Sequence, residues 1–268
     1  MAKLLDDPIE ADDISRYLSA QDDFALELRS VKQAHQCGFQ VRHGGTYSDP
    51  ATQKPRQYDI RALLSKNGCQ VYLAIECKSL RKNFPLVVSR IPRADGEAFH
   101  QLVASVPNRI PPLEVRRVVK SNLYRAGDPV GKSTTQVGRT NSSNGEWTAN
   151  DGDTHDKWAQ ALASIDQLVK RAAPAPAAQA AALEKSAMLP VLVVSNETLW
   201  CIDYDDHGNI CAAPRRTDET TLFVGRDYNA HGQLFTISHL HICTEIGLCQ
   251  LLQAVAGNSD WWASMFSA

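Results

Sequence analysis

The sequence predicts an α/β protein built on a mixed central β-sheet flanked by helices, and three stretches carry that expectation. Residues 57–79, QYDIRALLSKNGCQVYLAIECKS, read as a β-hairpin around Asn67-Gly68. Residues 189–195, LPVLVVS, are a continuous apolar run, as a strand buried on both faces requires. Residues 154–171 place Trp158, Leu162, Ile165 and Val169 on one helix face, after Thr154 or Asp153 as a cap. Helices that follow strands in this way pack on sheet faces.

Taken in order, residues 1–21 form an acidic lead-in with a short helix capped by Asp13. From Asp22 the pattern is helical: Phe24, Leu28, Val31 and His35 recur at helix spacing, and Gly38 supplies a stop. Glu27 borders that stripe, either as a partly exposed helix glutamate or as a carboxylate aimed at a site. A short strand over 39–43 leads into a turn-rich loop, GGTYSDPATQKP. The hairpin follows, and then a strand over 84–90. Residues 92–153 show little periodicity and read as an insertion with two helical pieces, 97–105 and 113–123. After the 154–171 helix, whose other face carries Gln160, Ser164 and Gln167, APAPAAQAAA is a low-complexity connection. The apolar strand, a strand over 199–205 with its turn at 206–209, and a strand entering a helix over 235–256 with Thr244 as cap complete the reading. The expected organisation is a lead-in (1–21), a core (22–205) carrying the insertion, and a C-terminal extension (206–268) packed on it.

Composition narrows the class of protein. With 43% hydrophobic and 22% charged residues and a formal charge of −2, the chain reads as an ordinary globular protein without a global polyanion-binding signal. Seven scattered cysteines, with no CxxC pair, argue against a disulfide framework or zinc knuckle and for a reducing, cytoplasmic setting. The first residues lack the basic start and apolar core of a signal peptide, and no apolar run approaches membrane-spanning length, so no membrane partner is expected.

Two tempting motifs fail. GDPVGKST has three residues between its first glycine and the Gly-Lys pair, where a P-loop needs four. His239, His241 and Cys243 share one strand face, but no fourth ligand of suitable spacing stands out for zinc, and a packed strand is the simpler reading. Within the insertion, Arg109, Arg116, Arg117, Lys120, Arg125, Lys132 and Arg139 outnumber Glu114 and Asp128. That stretch is either a solvated face or a basic flap suited to phosphate backbones.

The hairpin carries the chemistry. Asn67-Gly68 is a favoured pair for a two-residue turn with positive φ at both positions. The register it sets pairs Leu64 with Val71, Ala62 with Leu73 and Ile60 with Ile75, leaving Asp59 opposite Glu76 and Lys78 further along the same side. Two opposed carboxylates repel unless a cation lies between them. Hard oxygen ligands favour Mg²⁺ or Mn²⁺. A lysine beside such a metal can orient water or offset developing charge, although a surface ion pair with Glu76 is the plainer role for Lys78.

Asp59 followed by Glu76-Cys77-Lys78 resembles the PD-(D/E)XK signature of restriction-endonuclease-like nucleases, over about residues 22–79 and 154–195. The residue before the Asp is Tyr58 where the signature has Pro. The resemblance implies a restriction-endonuclease-like mixed sheet and an Mg²⁺-dependent endonuclease hydrolysing phosphodiesters, with DNA the expected polymer. By matching position, Asp59, Glu76 and the Cys77 carbonyl would bind metal and Lys78 would assist the water. Glu27 would support or complete the metal shell, and Gln160 is similar to a glutamine that some branches carry. The basic residues Arg116, Arg117, Lys120, Arg125, Lys132 and Arg139 would contact nucleic acid. A prokaryotic restriction or defence role follows from family analogy alone, and paired cuts in duplex would call for a homodimer. The competing expectations are a nucleic-acid-binding module without catalysis and a metal-dependent hydrolase of a small phosphate or nucleotide.

Overall fold

A computed structural model describes residues 7–50, 52–110, 112–119, 122–140, 145–150, 152–172 and 183–267. The elements begin with α1 (Ala11–Gln21), α2 (Asp23–Gln36), β1 (Gln40–His43), β2 (Thr46–Ser48), β3 (Pro55–Gln57), β4 (Ile60–Lys66), β5 (Cys69–Lys78) and β6 (Leu86–Pro92). They continue with β7 (Phe99–Ser105), β8 (Leu113–Val119), β9 (Pro129–Arg139), β10 (Trp147–Asn150) and α3 (Gly152–Ala172). The last are β11 (Glu184–Val194), β12 (Leu199–Asp203), β13 (Arg215–Arg216), β14 (Glu219–Ala230), β15 (Gln233–Thr244), α4 (Glu245–Gly257) and α5 (Ser259–Phe266).

One mixed sheet of 13 strands runs in the order β1-β4-β5-β11-β15-β14-β9-β6-β12-β13, with β10 joined to β9 and the β7–β8 ribbon joined to β11. At its centre β5 and β15 flank β11, both parallel to it. Period-two alternation sorts β5 between two helical layers. Leu73, Ile75 and Cys77 share one core with Leu26 of α2, Leu248 and Leu252 of α4 and Trp262 of α5. Tyr72 and Ala74 point the other way, onto Leu162, Ile165 and Leu168 of α3. β11 is apolar on both faces because it meets both layers, which is why LPVLVVS reads as an unbroken run. Among the described residues, no helix is long and apolar enough to cross a membrane.

The hairpin register agrees residue for residue with the one the turn sets: Ile60 pairs with Ile75, Ala62 with Leu73 and Leu64 with Val71. Asn67 and Gly68 both adopt positive φ, at 51° and 73°. Gly38, at φ 83°, follows the end of α2, and Thr244 caps α4 through Gly247 N–H.

Other expectations are corrected. The stretch over 92–153 contains no α-helix before α3 among its described residues, and both supposed helical pieces are strands, β7 and β8. β9, from the same stretch, lies inside the main sheet between β14 and β6. The segment after residue 205 likewise supplies β14 and β15, two interior strands of that sheet. The loop after β1 folds into the small β2–β3 ribbon. In α2 the inward face is Leu26, Ser30 and Ala34, whereas Phe24 and Leu28 are 59% and 47% exposed. Thr154 is no cap: its hydroxyl is buried against Gln136 Oε1, and Asn150 Oδ1 accepts the Gly152 N–H. The low-complexity connection at 173–182 lies outside the described residues.

Candidate active site: two carboxylates and a lysine at the hairpin base

Asp59 sits one residue before β4, and Glu76 lies near the end of β5 on the α3 side of the sheet. Their backbones bring them together. Glu76 Oε1 accepts the Asp59 N–H at 3.4 Å, and Asp59 Oδ2 accepts the Cys77 N–H at 2.8 Å. The expected cation between them is in the first instance an ammonium. Lys157, from the second turn of α3, donates to Asp59 Oδ2 (2.9 Å) and Oδ1 (3.3 Å), and its Nζ stands 3.9 Å from Glu76 Oε2.

Glu76 is 1% exposed, and its Oε2 has no hydrogen-bond partner among the described residues. Burial, reinforced by the Asp59 charge, pushes its carboxyl up to about 9. Burial works against the Lys157 ammonium, yet the Asp59 charge and hydrogen bond outweigh it and hold its pKa above the usual lysine value. At neutral pH Glu76 therefore rests protonated beside Asp59, which Lys157 holds.

Glu27 of α2 belongs to the outskirts of this cluster. Burial is the first cause raising its pKa; Asp59 adds to it, and His43 Nε2, 2.9 Å from Glu27 Oε2, opposes it. Lys78 does not join the pair. Its ammonium lies 3.3 Å from Asp23 Oδ2 at the start of α2, and the other Asp23 oxygen accepts the Ser79 N–H at 2.5 Å. The Cys77 thiol turns to the opposite sheet face, 3.8 Å from Ser30 Oγ. Gln160 acts locally: its side-chain amide donates to the Gln57 carbonyl, tying α3 to the strand that precedes Asp59.

The expected basic flap is dispersed. Arg116 pairs with Glu114 (3.2 Å), Arg117 lies 3.8 Å above the Phe99 ring, and Lys132 pairs with Glu97. Arg125 is exposed and its carbonyl holds Arg93, while Lys120 lies outside the described residues. Arg139 shares a cleft with Lys78. It lies 4.7 Å above the exposed Trp147 ring and lines that cleft, of about 400 Å³, together with Lys78, Asp23, Arg81 and Asn150.

Lys157, Asp23, His43 and Tyr47 are the residues that sequence reasoning missed. Lys157 had a signal, since it precedes Gln160 and Ser164 by three and seven positions and shares their helix face. Tyr47 is buried, and burial first, then the Glu76 charge, raise its phenol to about 12.

Among the described residues no three His, Cys, Asp or Glu side chains converge as a ready metal cluster. The donor set still fits one hard cation: two carboxylates with an unpartnered, buried Glu76 oxygen, the remaining positions being left to water. Comparison of the chain with protein-family models, with curated proteins and with solved structures finds no match.

Proposed function

We propose that this protein is an Mg²⁺-dependent nuclease that hydrolyses phosphodiester bonds, with DNA as its substrate and a restriction-endonuclease-like arrangement of its core. One observation carries the reading: Asp59 and Glu76 converge from the two arms of a tight hairpin, and the buried Glu76 Oε2 lacks a hydrogen-bond partner among the described residues. Strands in the order β1-β4-β5-β11, with α2 and α3 on opposite faces, support the same arrangement.

Asp59 and Glu76 would hold the Mg²⁺, which supplies a polarised phosphoryl oxygen and a bound water of lowered pKa. Lys157 compensates the acids when no metal is bound, and would yield its Asp59 bond to the cation. Lys78, anchored by Asp23, lines the cleft two residues beyond Glu76 and would orient the attacking water. Arg81 and Arg139 present exposed cations along that cleft for backbone phosphates, and Trp147 offers a flat face for a base.

A second reading has its own support. Lys157 already neutralises the pair, as it would in a nucleic-acid-binding module without catalysis.

The test is cleavage of plasmid, linear and single-stranded DNA and of RNA in Mg²⁺, Mn²⁺ or EDTA. Cleavage that needs metal and is lost in Asp59→Asn and Glu76→Gln supports the nuclease. Salt-sensitive binding with no cleavage in any metal supports the binding module. Hydrolysis confined to small phosphates would replace both.

A further inference from the structure

On the sheet face opposite Glu76, a second polar cluster lies under α4 and α5. His239 and His241 alternate along β15 with Leu240 and Ile242, which face the α3 side. Arg93, just past β6, reaches into this cluster and is 4% exposed. Its Nε donates to His239 Nε2 (3.1 Å), one terminal nitrogen to the Arg125 carbonyl (2.7 Å) and the other to Thr221 Oγ1 (3.1 Å). A guanidinium has five N–H groups, so these bonds leave two. Among the described residues no carboxylate forms an ion pair with Arg93, whereas neighbouring Arg90 is matched by Asp203 at 2.7 and 2.9 Å.

A buried cation without a counter-ion is costly unless something anionic completes it. Arg93 lines a cavity of about 450 Å³ between β14, β15 and the two C-terminal helices. Buried Tyr124 has its hydroxyl 2.8 Å from His241 Nε2; with the phenol as donor, His241 presents its own proton on Nδ1. His241 and the Gln250 amide line the cavity. The opposite wall is apolar, formed by Leu251, Ala254 and Trp261.

We propose that this cavity is a binding site for a small phosphate monoester, its phosphate on Arg93 and His241 and its organic part against Leu251, Ala254 and Trp261. The paired N–H groups that Arg93 retains suit two oxygens of one phosphate. The volume exceeds what a bare phosphate fills, and Trp261 gives a planar organic group a surface. Exposed Asp128 and Glu219 at the mouth accept from hydroxyl or amino groups and disfavour a second phosphate. The sheet separates this site from Asp59 and Glu76, so the inference stands apart from the nuclease reading.

The test is calorimetric titration of the full chain with 5′-AMP, inorganic phosphate and adenosine, in EDTA. The expected result is saturable binding of 5′-AMP with a Kd below about 1 mM, at least about tenfold weaker binding of phosphate, and none of adenosine. Arg93→Gln abolishes binding. Should that variant fail to fold, Ala254→Trp fills the cavity from α4 without touching the Arg93 bonds and abolishes binding with the fold intact. Absence of saturable binding of both anions up to about 10 mM, or unchanged 5′-AMP binding in Ala254→Trp, overturns the proposal.

Discussion

Buried Glu76 and half-buried His241 are titratable groups on opposite faces of one sheet, and they answer to protons in opposite directions. Glu76 has a folded pKa of about 9, well above its ordinary 4.5, because burial and the Asp59 charge both penalise its ionised form. Its contribution to stability is full below 4.5 and is lost as pH rises towards 9. His241 is held at about 4, below its ordinary 6.5, by burial first and then by the Arg93 charge. Its contribution is full above 6.5 and is lost as pH falls towards 4. The same charge logic separates the two regions chemically. The hairpin base sets two carboxyl groups around one ammonium and leaves a Glu76 oxygen without a hydrogen-bond partner among the described residues, so it has a ligand to offer a cation. The β15 cluster holds an arginine that no carboxylate among the described residues ion-pairs, so it has donors to offer an anion.

The largest expected effect breaks the first region alone. Asp59→Asn lowers Mg²⁺-dependent cleavage of DNA by about 10²–10³-fold while leaving 5′-AMP binding intact. A smaller effect isolates the second: Arg93→Gln costs about 2–4 kcal/mol in urea unfolding, since it unmakes hydrogen bonds of a buried cation. The paired substitutions Glu76→Gln and His241→Gln sharpen the contrast through Tm against pH in EDTA. Glu76→Gln stabilises increasingly above pH 4.5, by about 1–3 kcal/mol at pH 7, and His241→Gln stabilises only below about 6.5. Parallel curves for the two variants would remove the basis of the comparison. The smallest effect is at the turn, where Gly68→Ala costs about 1 kcal/mol because φ is 73°.

What could be read from the sequence follows from how local the signal was. The hairpin register was legible because Asn67-Gly68 and the apolar pairs Ile60–Ile75 and Ala62–Leu73 specify it within a few residues of one another. The burial of β11 was legible for the same reason. β9 was not, because its buried positions include Gly131, Thr134, Gln136 and Gly138 rather than apolar side chains. A Cβ on Gly131 would lie 2.7 Å from Val88 Cγ1, and one on Gly138 would lie 2.7 Å from Phe84 Cδ2. Close strand approach thus replaced the alternation that marks a strand. The α2 face was misjudged because Ser30 and Ala34 are buried where bulkier Phe24 and Leu28 are not. Within the site, the two acids were legible from pairing geometry. Lys157 was legible only as a neighbour of Gln160 and Ser164 on one helix face; that this face docks over the acids is a tertiary fact that no spacing within the hairpin encodes. Lys78 turned towards Asp23 for an equally non-local reason.

If the nuclease reading holds, the hairpin base takes up a divalent cation in place of the Lys157 ammonium and the Glu76 proton. Calorimetric titration with Mn²⁺ at pH 8, repeated in buffers of different ionisation enthalpy, measures both the binding and the protons released. Saturable binding of one Mn²⁺ with about one proton released is expected, with loss of both in Glu76→Gln. Binding that releases no proton, or equal binding by the wild-type chain and Glu76→Gln, would contradict it.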